Sequence, residues 1–243
     1  MKIIERLSPE IRNIMWLFSE KIITMSVVLI VSIVIARSVG PDLFGQLSYL
    51  LAFISIILVI SPLGINSIFI KEIVTAERNQ GTIIGTCLMI RFFGATATFV
   101  AVLILAQCEL LTAIDSFWLL CAAMTGFSAV LYLFDFWFQA RVKAKYAVVV
   151  RVVNILVFSI IKLWIVLTGG TFNYLLAVVV IEPIIISISY YIAYKISVSR
   201  ENKPVWRVDF SYALTLLNKS WWLIFSAIAS VICLKIDQLM IAE

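Results

Sequence analysis

The feature that most constrains this chain is a series of apolar runs, each long enough to cross a bilayer and separated only by short polar connections. A hydrocarbon core about 30 Å thick is crossed by about 20 helical residues. Six runs reach that length, over 14–36, 44–70, 83–107, 116–138, 146–168 and 172–194, and a seventh covers 221–242. The apolar residues neither alternate nor form one-sided stripes, so lipid must be part of the solvent. Composition agrees: 63% of residues are hydrophobic and 14% charged, against about half and about a quarter in a soluble domain. The sequence therefore predicts an all-α, polytopic transmembrane helical bundle.

Lys and Arg fall on alternate sides of these runs very unevenly. Residues 2, 6, 12, 71, 78, 141, 143, 145, 195, 200, 203, 207 and 219 sit on one side, and only Arg37 sits on the other. Loops rich in Lys and Arg stay in the cytoplasm, which places the N-terminus there. The net charge of +5 is thus a topology signal, and no nucleic-acid partner is expected. The first run is too long for a signal-peptide core and lacks a small-residue cleavage site, so it is expected to stay as a span.

Histidine is absent, which removes imidazole catalysis and His-ligated metal from consideration. The four cysteines, Cys87, Cys108, Cys121 and Cys233, show no CxxC spacing and read as small core residues. No cofactor, metal or catalytic residue is expected.

Ionisable side chains inside a bilayer are costly and usually face a bundle interior or a water-filled cavity. This chain places Glu20, Lys21, Arg91, Asp135, Arg151, Lys162, Glu182, Lys235 and Asp237 within its runs. Arg151 and Lys162 are eleven residues apart, which returns to within about 20° of one helix face and separates them by about 16 Å. Arg151, Glu20 and Asp135 lie near run ends, where an interfacial role is as consistent as a functional one. Glu182 precedes Pro183, which removes a backbone donor and frees the carbonyl of Val179. That pair reads either as a hinge or coupling-ion site, or as a charge partner for Lys162 or Arg91. Asp237 is a further candidate for ion coupling. Pro62 with Gly64 marks a break in the second run, tolerated in a membrane only under protein or water cover. The deep cations Lys21, Arg91, Arg151, Lys162 and Lys235 slightly outnumber the anions, which points to an anionic substrate held in a cationic cavity.

Residues 1–194 form a six-span unit, 195–220 a basic cytoplasmic linker, and 221–243 a seventh span. Trp222-Leu223-Ile224-Phe225-Ser226 loosely echoes Trp16-Leu17-Phe18-Ser19, as a parallel repeat of six-helix halves would. The expectation is a first lobe followed by the opening helix of a second, truncated one.

Several motifs add a resemblance. Trp16-Leu17-Phe18-Ser19-Glu20-Lys21 is followed by Ile35-Ala36-Arg37-Ser38-Val39-Gly40-Pro41-Asp42-Leu43-Phe44-Gly45. Further on come Leu63-Gly64, Lys71-Glu72-Ile73-Val74, Gly81 through Gly85-Thr86 to Arg91, and Asp135-Phe136-Trp137-Phe138-Gln139-Ala140 with Lys145-Tyr146 and Arg151. To about residue 170 the chain resembles the bacterial O-antigen and capsule repeat-unit flippases of the multidrug/oligosaccharidyl-lipid/polysaccharide exporter superfamily. The resemblance implies two six-helix lobes around a cavity that opens alternately to each side of the inner membrane. It also implies that the cavity turns undecaprenyl-diphosphate-linked oligosaccharide to the outer leaflet, with a polysaccharide polymerase as a possible partner. Carried over residue by residue, Lys21, Arg91, Arg151 and Lys162 are its substrate-binding cations. Two alternatives remain: an inactive fragment or dimerising half-transporter, and a membrane-embedded enzyme of polysaccharide assembly, for which no acid/base constellation is found.

Overall fold

The computed structural model describes residues 9–75, 79–107, 115–198 and 205–240, with the backbone alone at 9, 10, 12, 228, 231, 232 and 234–240. Among the described residues there is no strand. The helices are α1 (Pro9–Val39), α2 (Pro41–Ile60), α3 (Ile65–Thr75), α4 (Gln80–Gln107), α5 (Ser116–Met124), α6 (Ser128–Leu131), α7 (Leu133–Ala140), α8 (Ala144–Leu167), α9 (Phe172–Ser197) and α10 (Phe210–Met240). Six segments are long and apolar enough to cross a membrane: Asn13–Val39, Pro41–Ile60, Gln80–Gln107, Ser116–Ala140, Ala144–Leu167 and Phe172–Ser197. The chain is a multi-pass membrane protein with an all-α bundle.

Backbone groups in lipid must be satisfied within the segment, which is why the apolar runs become helices. The Gly40-Pro41 turn separates α1 from α2, with Pro41 in the first turn of α2, where its missing N–H removes no bond. α1 and α8 lie side by side in parallel: Asn13 Oδ1 accepts the Ala144 amide at 2.9 Å, and seven residues further along each helix Glu20 meets Arg151. Their N-terminal ends therefore share one face of the bundle. Val205 to Asp209 lie against the start of α4, which brings the start of α10 to the start of α4.

Two apolar cores stack along the bundle. One joins α3, the first half of α4, α7 and the second half of α9 through Phe69, Ile83, Phe134, Phe138 and Tyr190. The other joins α2, α5, the end of α1 and the first half of α9 through Ile35, Leu50, Ile57, Leu119 and Val179. The buried polar residues Ser61, Arg91, Thr125 and Ser128 belong to neither core.

The second run is not one helix. α2 stops at Ile60 and α3 resumes at Ile65, with Leu63 at φ 51° and Gly64 at φ 67° between them. Pro62 has no N–H to continue the ladder, and two successive left-handed residues redirect the chain. The expected protein cover is present. A Cβ at Gly64 would lie 3.1 Å from Ile224 N and from Ser220 O of α10, and one at Gly94 would lie 2.3 Å from Ser61 O. The fourth span is also interrupted, by a 3₁₀ turn at Thr125–Phe127, which the sequence reading did not anticipate. Gly126 lets Ser61 Oγ approach there, since a Cβ would stand 2.7 Å from it.

The stretch expected as linker, 195–220, is described in part, with 199–204 outside the described residues. α9 extends to Ser197, α10 begins at Phe210, and Val205 to Asp209 form an extended strap on α4. A Cβ at Gly81 would be 2.0 Å from Val205 O, and one at Gly85 2.4 Å from Arg207 O, so only glycine admits the strap. The Arg207 amide donates to Gly81 O at 3.3 Å, and the Asp209 amide to Thr86 Oγ1 at 3.2 Å. Asp209 Oδ1 then accepts the Tyr212 amide at 3.0 Å, which caps α10. The groove left by Gly81 and Gly85 seats Val205 to Asp209, three of them apolar, against α4. Cys87 is a buried core residue as expected and Cys121 is partly buried, whereas Cys233 is exposed. Cys108 lies outside the described residues.

Candidate functional site

Arg151, on α8, uses all three of its donor nitrogens on three other helices. Nη1 donates to Glu20 Oε2 of α1 at 3.0 Å, Nη2 to Asp135 Oδ2 of α7 at 2.8 Å, and Nε to Tyr190 OH of α9 at 3.0 Å. Gln139 Nε2 also donates to Asp135 Oδ2, at 3.0 Å, and Thr24 Oγ1 to Glu20 Oε1 at 3.4 Å. Glu20 and Asp135 are 3% and 2% exposed, so neither snorkels to water, and the guanidinium is what makes their burial tolerable. Asp135 Oδ1 has no hydrogen-bond partner. The planar fork of Arg suits this arrangement, because one charge serves carboxylates from two directions.

Lys162 lies on the same helix and pairs with Glu182 of α9 at 2.5 Å. Of the partners open to Glu182, the structure selects Lys162. α9 continues as a helix through Pro183. The two cations on one face of α8 are thus each neutralised by carboxylates of neighbouring helices. Asn154, between them, donates to Val150 O and accepts from Ser189 of α9.

Arg91 has a different environment. It is wholly buried, with Nη1 donating to Ala129 O and Nη2 to Asn66 Oδ1, both at 2.6 Å, and with Phe136 beneath it at 5.3 Å. Among the described residues no carboxylate pairs with it, and its Nε has no partner. In this conformation Arg91 is enclosed between α3, α6 and α7. Lys21 is exposed on α1 and has no ion-pair partner among the described residues. The Lys235 and Asp237 side chains lie outside the described residues.

A family profile described as polysaccharide biosynthesis protein matches residues 11–243. The chain belongs to this polysaccharide biosynthesis family. O-antigen and capsule flippases are of this family. No curated protein and no solved structure matches the chain. In this family member the structure brings Glu20, Asp135 and Arg151 into one network, joins Lys162 to Glu182 in a second, and holds Arg91 apart from both.

Sequence reasoning missed Tyr190 on Arg151, Asn66 on Arg91, and a separate contact between Glu72 and Tyr212. Glu72 Oε2 accepts Tyr212 OH at 2.7 Å and its Oε1 accepts Lys219 Nζ at 3.4 Å, which ties α3 to α10. Glu72 stood two residues beyond an expected run end, where a charge draws no attention, and a tyrosine in a membrane helix reads equally well as an interfacial anchor.

Proposed function

We propose that this polysaccharide biosynthesis protein is a flippase that carries a polyprenyl-diphosphate-linked oligosaccharide, an O-antigen or capsule repeat unit, from the cytoplasmic to the outer leaflet. The carrying observation is the pair of cations on one face of α8, Arg151 and Lys162, each held inside the bundle by carboxylates of other helices. Such pairs are exchangeable. A diphosphate offers the same acceptor geometry as the carboxylates and can take their place on a guanidinium or ammonium as helices part. Lys21 supports the reading: it lies about 12 Å inside its span by helical rise, unpaired among the described residues, where a charge calls for water-filled space. The protein acts as a carrier in the bacterial inner membrane with its N-terminus in the cytoplasm, and needs no cofactor. Membrane lipid surrounds it, and a polysaccharide polymerase is the partner that would consume its product.

The test is replacement of Arg151 and Lys162 by alanine in cells that depend on this protein for surface polysaccharide. The expected result is loss of surface polysaccharide with lipid-linked repeat units accumulating on the cytoplasmic leaflet. Unchanged surface polysaccharide, with the variant present in the membrane, overturns the reading.

A further inference from the structure

The half-helix α3 is tied down at both ends and is cut off from α2 by a turn. Near its start, Asn66 Oδ1 accepts from Arg91 Nη2 at 2.6 Å. Near its end, Glu72 accepts from Tyr212 OH and Lys219 Nζ of α10. Before it, Leu63 and Gly64 hold left-handed backbone. A continuous helix cannot swing one half against the other without breaking its own hydrogen bonds. Here the ladder is already interrupted, with the Ile65 amide donating to Pro62 O at 3.2 Å. Leucine in the left-handed region is strained, and such strain persists only where the surroundings hold it.

What α3 covers is equally specific. Arg91 is a buried cation held by two neutral oxygens, with a free Nε and no carboxylate pairing with it among the described residues. Burying a charge on neutral partners alone is unfavourable, and an anion brought to the guanidinium would relieve it. Asn66 is the one member of this shell carried on the half-helix, and the Glu72 end of α3 opens toward the surface, where Lys219 is 56% exposed.

We infer that α3 is a hinged gate over Arg91, pivoting at Leu63-Gly64, seated by the core packing of Ile65 and Phe69 and latched by Glu72 to Tyr212 and Lys219 of α10. Release of the latch frees Asn66 from the guanidinium and opens Arg91 to an anionic phosphate headgroup. The identity of that anion rests on the flippase reading; the gate does not.

Arginine modification tests the gate in the full chain without any transport assay. Purified protein is treated with hydroxyphenylglyoxal and mapped by mass spectrometry, with exposed Arg141 as internal reference. Arg91 in the unaltered protein is expected to react far more slowly than Arg141. In the Glu72→Gln, Tyr212→Phe double variant the Arg91 rate relative to Arg141 is expected to rise about tenfold, the effect of losing one charge-assisted hydrogen bond on an opening equilibrium. Lys219→Ala, a change at an exposed position, serves if the double variant fails to fold, and is expected to raise the rate in the same direction. Arg91 reacting at the Arg141 rate in the unaltered protein overturns the gate, as does continued protection in folded latch variants. If Arg91 becomes reactive while Arg91→Ala leaves surface polysaccharide intact, the gate stands and the flippase reading falls.

Discussion

Arg151 and Asp135 come from adjacent helices of the bundle, and their 2.8 Å bond, with Asp135 2% exposed, makes the guanidinium the one group among the described residues that neutralises two buried carboxylates. Removing it leaves both Glu20 and Asp135 without an ion-pair partner among the described residues. Arg151→Ala is expected to destabilise the bundle by about 3 kcal/mol, the lower end for breaking a buried pair because the guanidinium itself retains some exposure. Arg151→Lys is expected to recover only part of this, since an ammonium cannot hold the three directions at once. Thermal unfolding of the purified variants in detergent checks both.

Lys162 and Glu182 form a two-member pair, which permits a cleaner experiment. Lys162→Glu and Glu182→Lys are each expected to lower the amount of folded protein, because each puts like charges together inside the membrane. The double swap is expected to recover most of the loss. A double-mutant cycle on thermal stability measures the coupling, expected at about 1–3 kcal/mol.

The strap over 205–209 depends on two glycines. Gly85→Ala puts a Cβ 2.4 Å from the Arg207 carbonyl oxygen, a contact with backbone that no side-chain rotation relieves. The strap is expected to lift from α4 and trypsin cleavage after Arg207 to accelerate severalfold, with a loss of about 1–3 kcal/mol in stability. Gly45→Ala, at a position with open space around its Cβ, is the control and is expected to leave cleavage unchanged.

Arg91 distinguishes charge from packing. Arg91→Met keeps much of the volume but leaves Asn66 Oδ1 and Ala129 O without their donor. It also removes a buried cation that no carboxylate among the described residues pairs with, so the net effect on stability is expected to stay within about 2 kcal/mol. Surface polysaccharide is nevertheless expected to fall sharply, which separates a substrate-facing role from a structural one.

The bilayer explains how much was legible from residues alone. Lipid satisfies no backbone polar group, so an apolar run of about 20 residues has little choice but helix. The six spans, the multi-pass all-α class and the break at Pro62 and Gly64 follow from the order of residues. The family motifs are likewise strings of residues, and the family they suggested is the one to which the chain belongs. The spacing of Arg151 and Lys162 fixed their common face, because helical geometry is local.

Partner choice is not local. The sequence left Glu182 open between Lys162, Arg91 and a hinge or ion-coupling role, and nothing in it makes one guanidinium bridge Glu20, Asp135 and Tyr190, because those contacts depend on how α1, α7, α8 and α9 pack. The enclosure of Arg91 was equally hidden: eleven residues into α4 it reads as a cavity cation, and only the return of α3 beyond its break, together with α6 and α7, seals it. The seating of Val205 to Asp209 on α4 was likewise hidden, because only the packed structure shows the groove that Gly81 and Gly85 leave. Local chemistry determined the helices and their charged faces; tertiary packing decided which charges are neutralised and which is covered, because a buried charge takes whatever partner the fold brings within about 3 Å.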